Sequence, residues 1–342
     1  MKRIRSITRI VLMCSVFIMG EALAQPRATQ VGDRLAAFEM EWREVKPEAL
    51  SARARAAAEV LVDSDLKQPA TIVPLKSSDG VSRRTQITVP DSPALDIVYL
   101  HEYDELRLVN TELATSTAPI NEISQEEAIN LARRAFDGLA KHKLIDPRHF
   151  NWDRVDVAST WAGGSSRDAK TIDKRRVEYR ITLRRELNGV ELANAGLRIA
   201  VHTSGRLAAL RLGGVSVKLK INPNGVEEPV GKGRWLERKV TAEELKARFE
   251  REGLVKNAKL KVAWSSVLYV MPESKRVALV EPLYVVSYSL EVPSDDGTTA
   301  VSRRKTVGFS LTDAKAPSVD LTPPVRAPQL EKIRKEAGGP RR

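Results

Sequence analysis

The stretch that most resembles a metal-binding motif is His101-Glu102-Tyr103-Asp104-Glu105. A zinc peptidase helix needs two histidines one turn apart with a glutamate after the first, and Glu105 occupies the second histidine's place. The residues on both sides alternate between apolar and polar, which is typical of two strands joined in a hairpin. We therefore expect His101 and Asp104 to flank a solvated hairpin turn.

The remaining candidates for catalysis have structural explanations. His142 and His149 straddle the predicted end of a helix, and His202 lies near a strand end, so cap or surface positions are expected. The sequence contains no Gly-x-Ser-x-Gly nucleophile motif, and Gly163-Gly164-Ser165-Ser166 lacks the spacing and the lysine of a phosphate-binding loop. The sequence predicts no catalytic residue, no metal ligand and no cofactor, and the protein is not expected to be an enzyme.

Basic residues are concentrated between positions 170 and 186, where seven lysines and arginines accompany three acidic residues. Arg176, Arg180 and Arg184 recur at every fourth position of a predicted strand, on the face opposite its apolar residues. These three arginines are the candidate binding residues, as a positive stripe for an anionic partner. The alternative is a charged sheet face that only keeps the protein soluble.

The whole chain is basic, with a formal net charge of +12 over 342 residues, and its composition is that of a folded protein. The segment Val325–Arg342 contributes six basic and two acidic residues and is a second candidate contact for anionic envelope lipid or polymer. Nucleic acid is not an expected partner. Binders of that kind interleave stacking aromatic residues with basic ones, whereas here only 5% of residues are aromatic and their pattern indicates cores.

The first 24 residues are typical of a secretory signal peptide. Four basic residues within positions 2–9 precede the apolar run Ile10–Met19, and Ala22 and Ala24 occupy the positions that a signal peptidase reads. Cleavage after Ala24 would export the remaining 318 residues to the periplasm or the cell exterior, without a transmembrane anchor. Cys14 would leave with the signal peptide, so disulfides and thiol chemistry are excluded from the mature protein.

Helices followed by alternating strands recur along the chain. Ser124-Gln125-Glu126-Glu127 and Thr241-Ala242-Glu243-Glu244 are capping boxes that each open an amphipathic helix. After the first helix, residues 177–184 alternate between apolar and polar, and Asn188-Gly189 predicts a hairpin turn. Pro47 suits the start of an earlier helix, followed by strand signals at 72–75, 85–89, 96–101 and 105–109.

These patterns predict an α+β protein of tandem units, each with one helix packed on an antiparallel β-meander. After the signal peptide at 1–24, we expect a degenerate amino-terminal unit at 25–117 and a clear unit at 118–220. A linker at 221–239 rich in Pro, Asn and Gly leads to another unit at 240–316. Residues 317–342 are expected to form a basic disordered tail.

The opening Ile123-Ser124-Gln125-Glu126-Glu127-Ala128, together with Tyr179-x-Ile181-x-Leu183 and Asn188-Gly189-Val190, resembles the PepSY domain. It is also similar to the propeptide domain of fungalysin- and thermolysin-type metallopeptidases. The resemblance covers Glu122–Val217 and, with fewer matches, Val240–Ala314. It implies a cystatin-like helix on an antiparallel sheet, in a family whose exported members restrain or assist peptidases or act as sensing modules.

The expected function is therefore that of an exported, non-catalytic binding module. Its first candidate partner is an exported polypeptide or peptidase, which the module would regulate or inhibit in trans, and strand addition at an open sheet edge is the expected mode. The alternative is an envelope scaffold that binds anionic lipid or polysaccharide through Arg176, Arg180, Arg184 and the basic tail. A hydrolase of unknown substrate is the third hypothesis.

Overall fold

The computed structural model describes residues 34–41, 45–75, 84–114, 122–164, 173–214, 216–252, 259–270, 279–293, 299–301 and 304–322. Its fold is mixed α/β, with a few helices and a majority of strands in antiparallel sheets. The predicted signal peptide and residues 323–342 of the predicted tail lie outside the described residues. No helix in the described ranges is long and apolar enough to cross a membrane.

The helices are α1 (Pro47–Val62), α2 (Thr111–Ala114), α3 (Gln125–Lys141) and α4 (Ala242–Glu252). The first nine strands are β1 (Arg34–Glu41), β2 (Thr71–Leu75), β3 (Arg84–Thr88), β4 (Leu95–Leu100), β5 (Glu105–Asn110), β6 (Asp156–Gly164), β7 (Asp173–Leu187), β8 (Val190–His202) and β9 (Leu207–Gly213). The later strands are β10 (Ser216–Ile221), β11 (Glu227–Pro229), β12 (Arg234–Glu237), β13 (Lys259–Val270), β14 (Leu279–Val280), β15 (Pro282–Pro293), β16 (Thr299–Val301), β17 (Lys305–Ser310) and β18 (Val319–Asp320).

Both long helices begin where the sequence indicates. Pro47 lies in the first turn of α1, where its missing N–H breaks no helical hydrogen bond. α3 is opened by the predicted capping box: the Ser124 hydroxyl accepts from the Glu127 amide at 3.1 Å, and the Glu127 carboxylate accepts from the Ser124 amide at 2.7 Å. These contacts satisfy backbone donors at the helix start, and they also lower the pKa of Glu127.

The main sheet runs in the order β6-β7-β8-β9-β5-β4-β3-β2, with every neighbouring pair antiparallel. The predicted turn Asn188-Gly189 joins β7 to β8, and both residues have positive φ, at 49° and 75°. β13 pairs in parallel with Glu191–Ala193 of β8 and extends this sheet through β15, β17 and β18, with β16 beside β15.

Helices α1 and α3 cover one face of the main sheet and share one hydrophobic core with it. Leu50 and Leu61 of α1 and Phe136 and Leu139 of α3 are buried in the same cluster as the apolar residues of the strands. The helices also touch each other, because a Cβ at Gly138 would lie 3.2 Å from Val60 Cγ2. The segments 25–117 and 118–220, which we expected as separate units, therefore contribute to one sheet and one core.

The prediction of a linker at 221–239 is corrected by the structure, because short paired strands lie within this segment. Asn222 accepts from the amides of Asn224 and Val226, and this turn reverses the chain into a hairpin of β10 and β11. β12 then pairs with β1, and β1 also pairs with β10 and β14, which completes a small second sheet. The Pro, Asn and Gly residues that indicated a linker are turn residues between short strands.

The carboxyl-terminal region is organised around α4, and the predicted capping box of Thr241 and Glu244 forms as expected. Phe249 of α4 packs edge-on against Tyr288 of β15 and Phe309 of β17. The prediction of a disordered tail at 317–342 is corrected for Val319–Asp320, because these residues form β18 and pair with β17.

Candidate functional site

β6 is the strand at one end of the main sheet. It pairs with β7 along its length, and no other strand of the described residues pairs with its outer side. Edge strands are commonly protected by lysine, proline or short length. β6 has nine residues with no lysine or proline, whereas β2 at the opposite end has five residues that include Pro74. The outer side of β6 therefore presents a row of backbone groups suited to pairing with another strand.

A β-bulge divides the pairing of β6 with β7. Thr160 lies opposite Glu178 and Trp161 lies opposite Arg176, so Val177 is an extra residue in β7. An inserted residue reverses the alternation of side chains beyond it. Arg176 is consequently on the sheet face opposite that of Glu178, together with Trp161.

The guanidinium of Arg176 lies between two aromatic rings on the helix-covered side. Its Cζ atom is 4.9 Å from the ring centroid of Trp161 and 4.9 Å from that of Tyr179. Arg176 also donates to the Tyr179 hydroxyl, which itself donates to the Ile123 carbonyl at 3.2 Å. These contacts hold the indole of Trp161 beside the edge of β6, although 53% of this residue is exposed.

The predicted stripe of Arg176, Arg180 and Arg184 does not form as expected. Arg180 and Arg184 share the outer face, but the bulge places Arg176 on the other side. Both outer arginines have acidic partners, Glu178 for Arg180 at 2.6 Å and Asp156 and Glu191 for Arg184, each at 2.7 Å.

The outer face also contains three arginines that sequence analysis did not single out. Arg198 of β8 lies directly opposite Arg211 of β9, and Arg211 lies opposite Arg107 of β5. Each occupies a polar position in an alternating strand, which was the available signal. The strand order that brings them together is not visible in local sequence.

His101 lies at the predicted turn. The antiparallel pair β4–β5 is joined by His101–Tyr103 and by Asp104 with positive φ, which confirms the hairpin. The His101 ring nitrogen Nε2 is 2.7 Å from the Thr85 hydroxyl. Asp104 forms an ion pair with Arg53 of α1 at 2.5 Å, so the turn is attached to a helix.

The other histidines differ from expectation in two of three cases. His142 is exposed and is the carboxyl-terminal cap of α3, as predicted. His149 and His202 are 8% and 4% exposed, so neither is a surface residue. The Nδ1 atom of His202 accepts from the Ser204 amide within a tight turn, and burial of the ring lowers its pKa.

His149 lines an open cleft of about 1650 Å³ and is also in contact with the buried side chain of Glu227. Its Nε2 lies 2.8 Å from Glu227 Oε1, and Glu227 also accepts from the amide of Asn188 at the β7–β8 turn. Arg185 lines the same cleft; burial lowers its pKa, against the opposing charges of Glu227, Asp146 and Asp104. Within the described part of the chain, no group of three His, Cys, Asp or Glu residues is arranged to hold a metal ion.

Comparison with known proteins identifies the fold only. No protein-family model matches the sequence, and no curated protein shows significant similarity to it. Among solved structures, the chain is similar to the crystal structure at 1.45 Å resolution of an uncharacterized protein from Eubacterium rectale ATCC 33656. The TM-score is 0.52 at 12% identity, over 84% of this chain and 86% of that chain. The two proteins thus share an overall fold.

Proposed function

We propose that the protein is an exported, non-catalytic binding module that takes a polypeptide strand onto the free edge of β6. The observation that supports this function is the nine-residue outer edge of β6, unpaired within the described residues and without lysine or proline. Main-chain hydrogen bonds to such an edge give affinity, and neighbouring side chains give specificity. Trp161, fixed by Arg176 beside this edge, offers an apolar contact for a side chain of the partner.

An exported peptidase is the first partner class to test. The PepSY resemblance implies it, and regulation in trans would follow if the added strand belonged to the peptidase. Export itself has a direct test: the mature protein isolated from the envelope or medium should begin at Gln25. An intact amino terminus in the exported fraction would contradict cleavage after Ala24.

The partner can be captured by a photo-crosslinker attached through a cysteine at Ser159 in the middle of β6. The mature protein has no other cysteine, so labelling is specific. The matched control is the same label at Ser64, an exposed turn residue after α1. We expect Ser159→Cys to crosslink a polypeptide from the exported fraction that Ser64→Cys does not, and any captured peptidase is then assayed with and without the module. Identical products from both positions would contradict binding at β6.

The tandem-unit arrangement is also a proposal. Two features support it: α1 precedes four strands, β2–β5, and α3 precedes four strands, β6–β9. The last strands of the two series, β5 and β9, pair with each other, so the strand order of one series mirrors that of the other. Such symmetry is what two copies of one unit joined at equivalent edges would produce.

Hydrolysis is a second candidate function, favoured by buried His149, which lines the cleft and contacts Glu227. A carboxylate that orients a histidine is one component of a general-base site. Esterase, peptidase and glycosidase substrates incubated with the mature protein test it. Turnover that His149→Gln abolishes would support this function, whereas absence of turnover, or turnover unchanged in His149→Gln, would contradict it.

A further inference from the structure

We propose that Arg107, Arg198 and Arg211, here called the arginine row, bind an acidic polypeptide segment on the outer face of the main sheet. This inference rests on the proposed function only in taking the partner to be a polypeptide. The arginine row lies on β5, β8 and β9, three strands inside the sheet, and is therefore a second surface beside the edge of β6.

The positive charges of the arginine row repel one another, which destabilises the folded protein unless negative charges balance them. Arg198 and Arg211 are a direct cross-strand pair, and Arg211 and Arg107 are the next pair along the same line. Like charges directly opposite each other on neighbouring strands are destabilising. The pair of Arg198 and Arg211, which no carboxylate of the described residues bridges, is thus better explained by a ligand than by stability.

One buried carboxylate neutralises part of the row. Glu105 is 1% exposed, pairs with Arg107, and accepts from Arg211 Nη2 at 2.6 Å. Gly213 leaves room for it, because a Cβ there would lie 3.2 Å from Glu105 Oε2. Glu105 is therefore a positioning residue that fixes two guanidinium groups before any ligand arrives, which reduces the entropy cost of binding.

Arg198 is the member of the row that is left in excess. Glu105 pairs with Arg107 and Arg211 but not with Arg198, so the three guanidinium groups and one carboxylate carry a local charge of about +2 at neutral pH, where arginine stays protonated. Arg198 is exposed, and no carboxylate among the described residues forms an ion pair with it. Partial burial, with the charges of Arg211 and Arg180, lowers the pKa of Arg198, as expected where positive charge is unmatched.

The chemistry of the face favours carboxylates on a polypeptide over the other anions. A planar guanidinium can take a carboxylate through two parallel hydrogen bonds. Surfaces that bind saccharides usually supply aromatic rings for stacking. No aromatic residue lies in the line across the strands that contains the arginine row, or in the line next to it. The first line is Thr182, Arg198, Arg211, Arg107, Val98 and Gln86, and the second is Arg180, Ala200, Ala209, Val109 and Asp96. Leu113 of α2 packs against Ala200 and Ala209, so a bound peptide would lie along the arginine row itself and not over these alanines.

The test is fluorescence anisotropy with a labelled twelve-residue peptide of alternating Glu and Thr, using the mature protein. We expect saturable binding that weakens with salt and that Arg198→Gln weakens about tenfold or more, the effect of losing a charge-assisted hydrogen bond. The matched control is Arg180→Gln, which removes the same charge from the same face but at a residue already paired with Glu178. It should change the dissociation constant less than about threefold, within the range of an exposed ion pair.

Three comparisons make the outcome decisive. Equal weakening by Arg198→Gln and Arg180→Gln would overturn the proposal in favour of a general charge effect. Tighter binding of polygalacturonate, or of vesicles containing phosphatidylglycerol, would overturn the choice of a polypeptide. Proline variants at the edge of β6 should leave binding of this peptide unchanged, so failure of strand addition and failure of the arginine row are separable; unfolding of any variant is monitored by circular dichroism.

Discussion

The side chain of Arg176 lies between Trp161 and Tyr179, although a period of two placed it with Arg180 and Arg184 on the outer face. Alternation correctly predicts which residues of β7 are buried from Tyr179 to Leu183. The alternation fails before Tyr179 because Val177 is an extra residue in β7 opposite β6. One extra residue moves every side chain beyond it to the other face of the sheet. Nothing in a single strand's sequence reports an insertion relative to its neighbour.

Arg176→Met should test the packing between the rings, because methionine keeps an unbranched stem and removes the charge. We expect a loss of about 0.5–2 kcal/mol in the free energy of unfolding, the range of cation–π contacts. Urea unfolding monitored by tryptophan fluorescence measures it. Arg180→Met is the control and should cost about 0.2–1 kcal/mol at most, as for exposed ion pairs. A larger loss for Arg180→Met than for Arg176→Met would contradict the two placements.

His202 should make stability depend on pH. Burial lowers its pKa in the folded protein below the ordinary 6.5, Glu178 opposes the shift and Arg206 adds to it. The unfolded chain then binds its proton at a higher pH than the folded chain, so the contribution of His202 is fully present above pH ~6.5 and decreases as the pH falls below it. His202→Asn keeps an acceptor for the Ser204 amide and removes the titration.

The measurement is the urea midpoint of both proteins at pH 7.5 and pH 5.5. The wild type should lose more stability between these pH values than His202→Asn, by at most about 1.4 kcal/mol for each pH unit. Equal losses would show that His202 does not titrate differently on folding.

Individual elements were largely predictable because their signals are local. The two capping boxes, the Asn188-Gly189 turn and the four strands after the first helix all occur where expected. β11 and β12 were missed for a physical reason. β11 and β12 have three and four residues, too few for an alternation to show, and turn residues beside them indicated a linker.

The edge of β6 can be tested with a pair of proline variants, Ala158→Pro and Ser159→Pro. The N–H groups of adjacent strand residues point to opposite sides, so one proline removes a ladder bond to β7 and the other removes an outward donor. The variant with the higher melting temperature by circular dichroism is the outward one. We expect this variant to bind the captured polypeptide about tenfold less, since an added strand loses a hydrogen bond and meets the proline ring. Unchanged binding by the outward variant would contradict strand addition.

The assembly of the whole molecule depends on contacts that are distant in sequence. β5 pairs with β9 about a hundred residues later, which joins the two helix-covered series into one sheet. His149, Asn188 and Glu227 connect the main sheet to β11 of the small sheet. Neither junction follows from periodicity or turn signals, because both require knowing which strands are neighbours. The arginine row was missed for the same reason.

Glu227→Ala should destabilise the whole protein, since it removes the acceptor of the Asn188 amide and the carboxylate that lies 2.8 Å from the buried ring of His149. We expect a loss of about 1–3 kcal/mol in the free energy of unfolding, the cost of leaving a buried donor without its acceptor. The neighbouring Glu228→Ala removes an exposed pair with Lys220 and should cost about 1 kcal/mol or less. Denaturant titration of both variants measures the difference. Similar losses of stability would contradict the role of Glu227 in connecting the main sheet to β11 of the small sheet.

The central claim, that β6 accepts a polypeptide strand, is tested most directly by amide hydrogen–deuterium exchange of the mature protein with and without the polypeptide captured at Ser159. We predict that exchange slows within residues 156–164 on binding, because outward amides of β6 become hydrogen-bonded to the added strand. Slowed exchange elsewhere, with residues 156–164 unchanged, would contradict the claim.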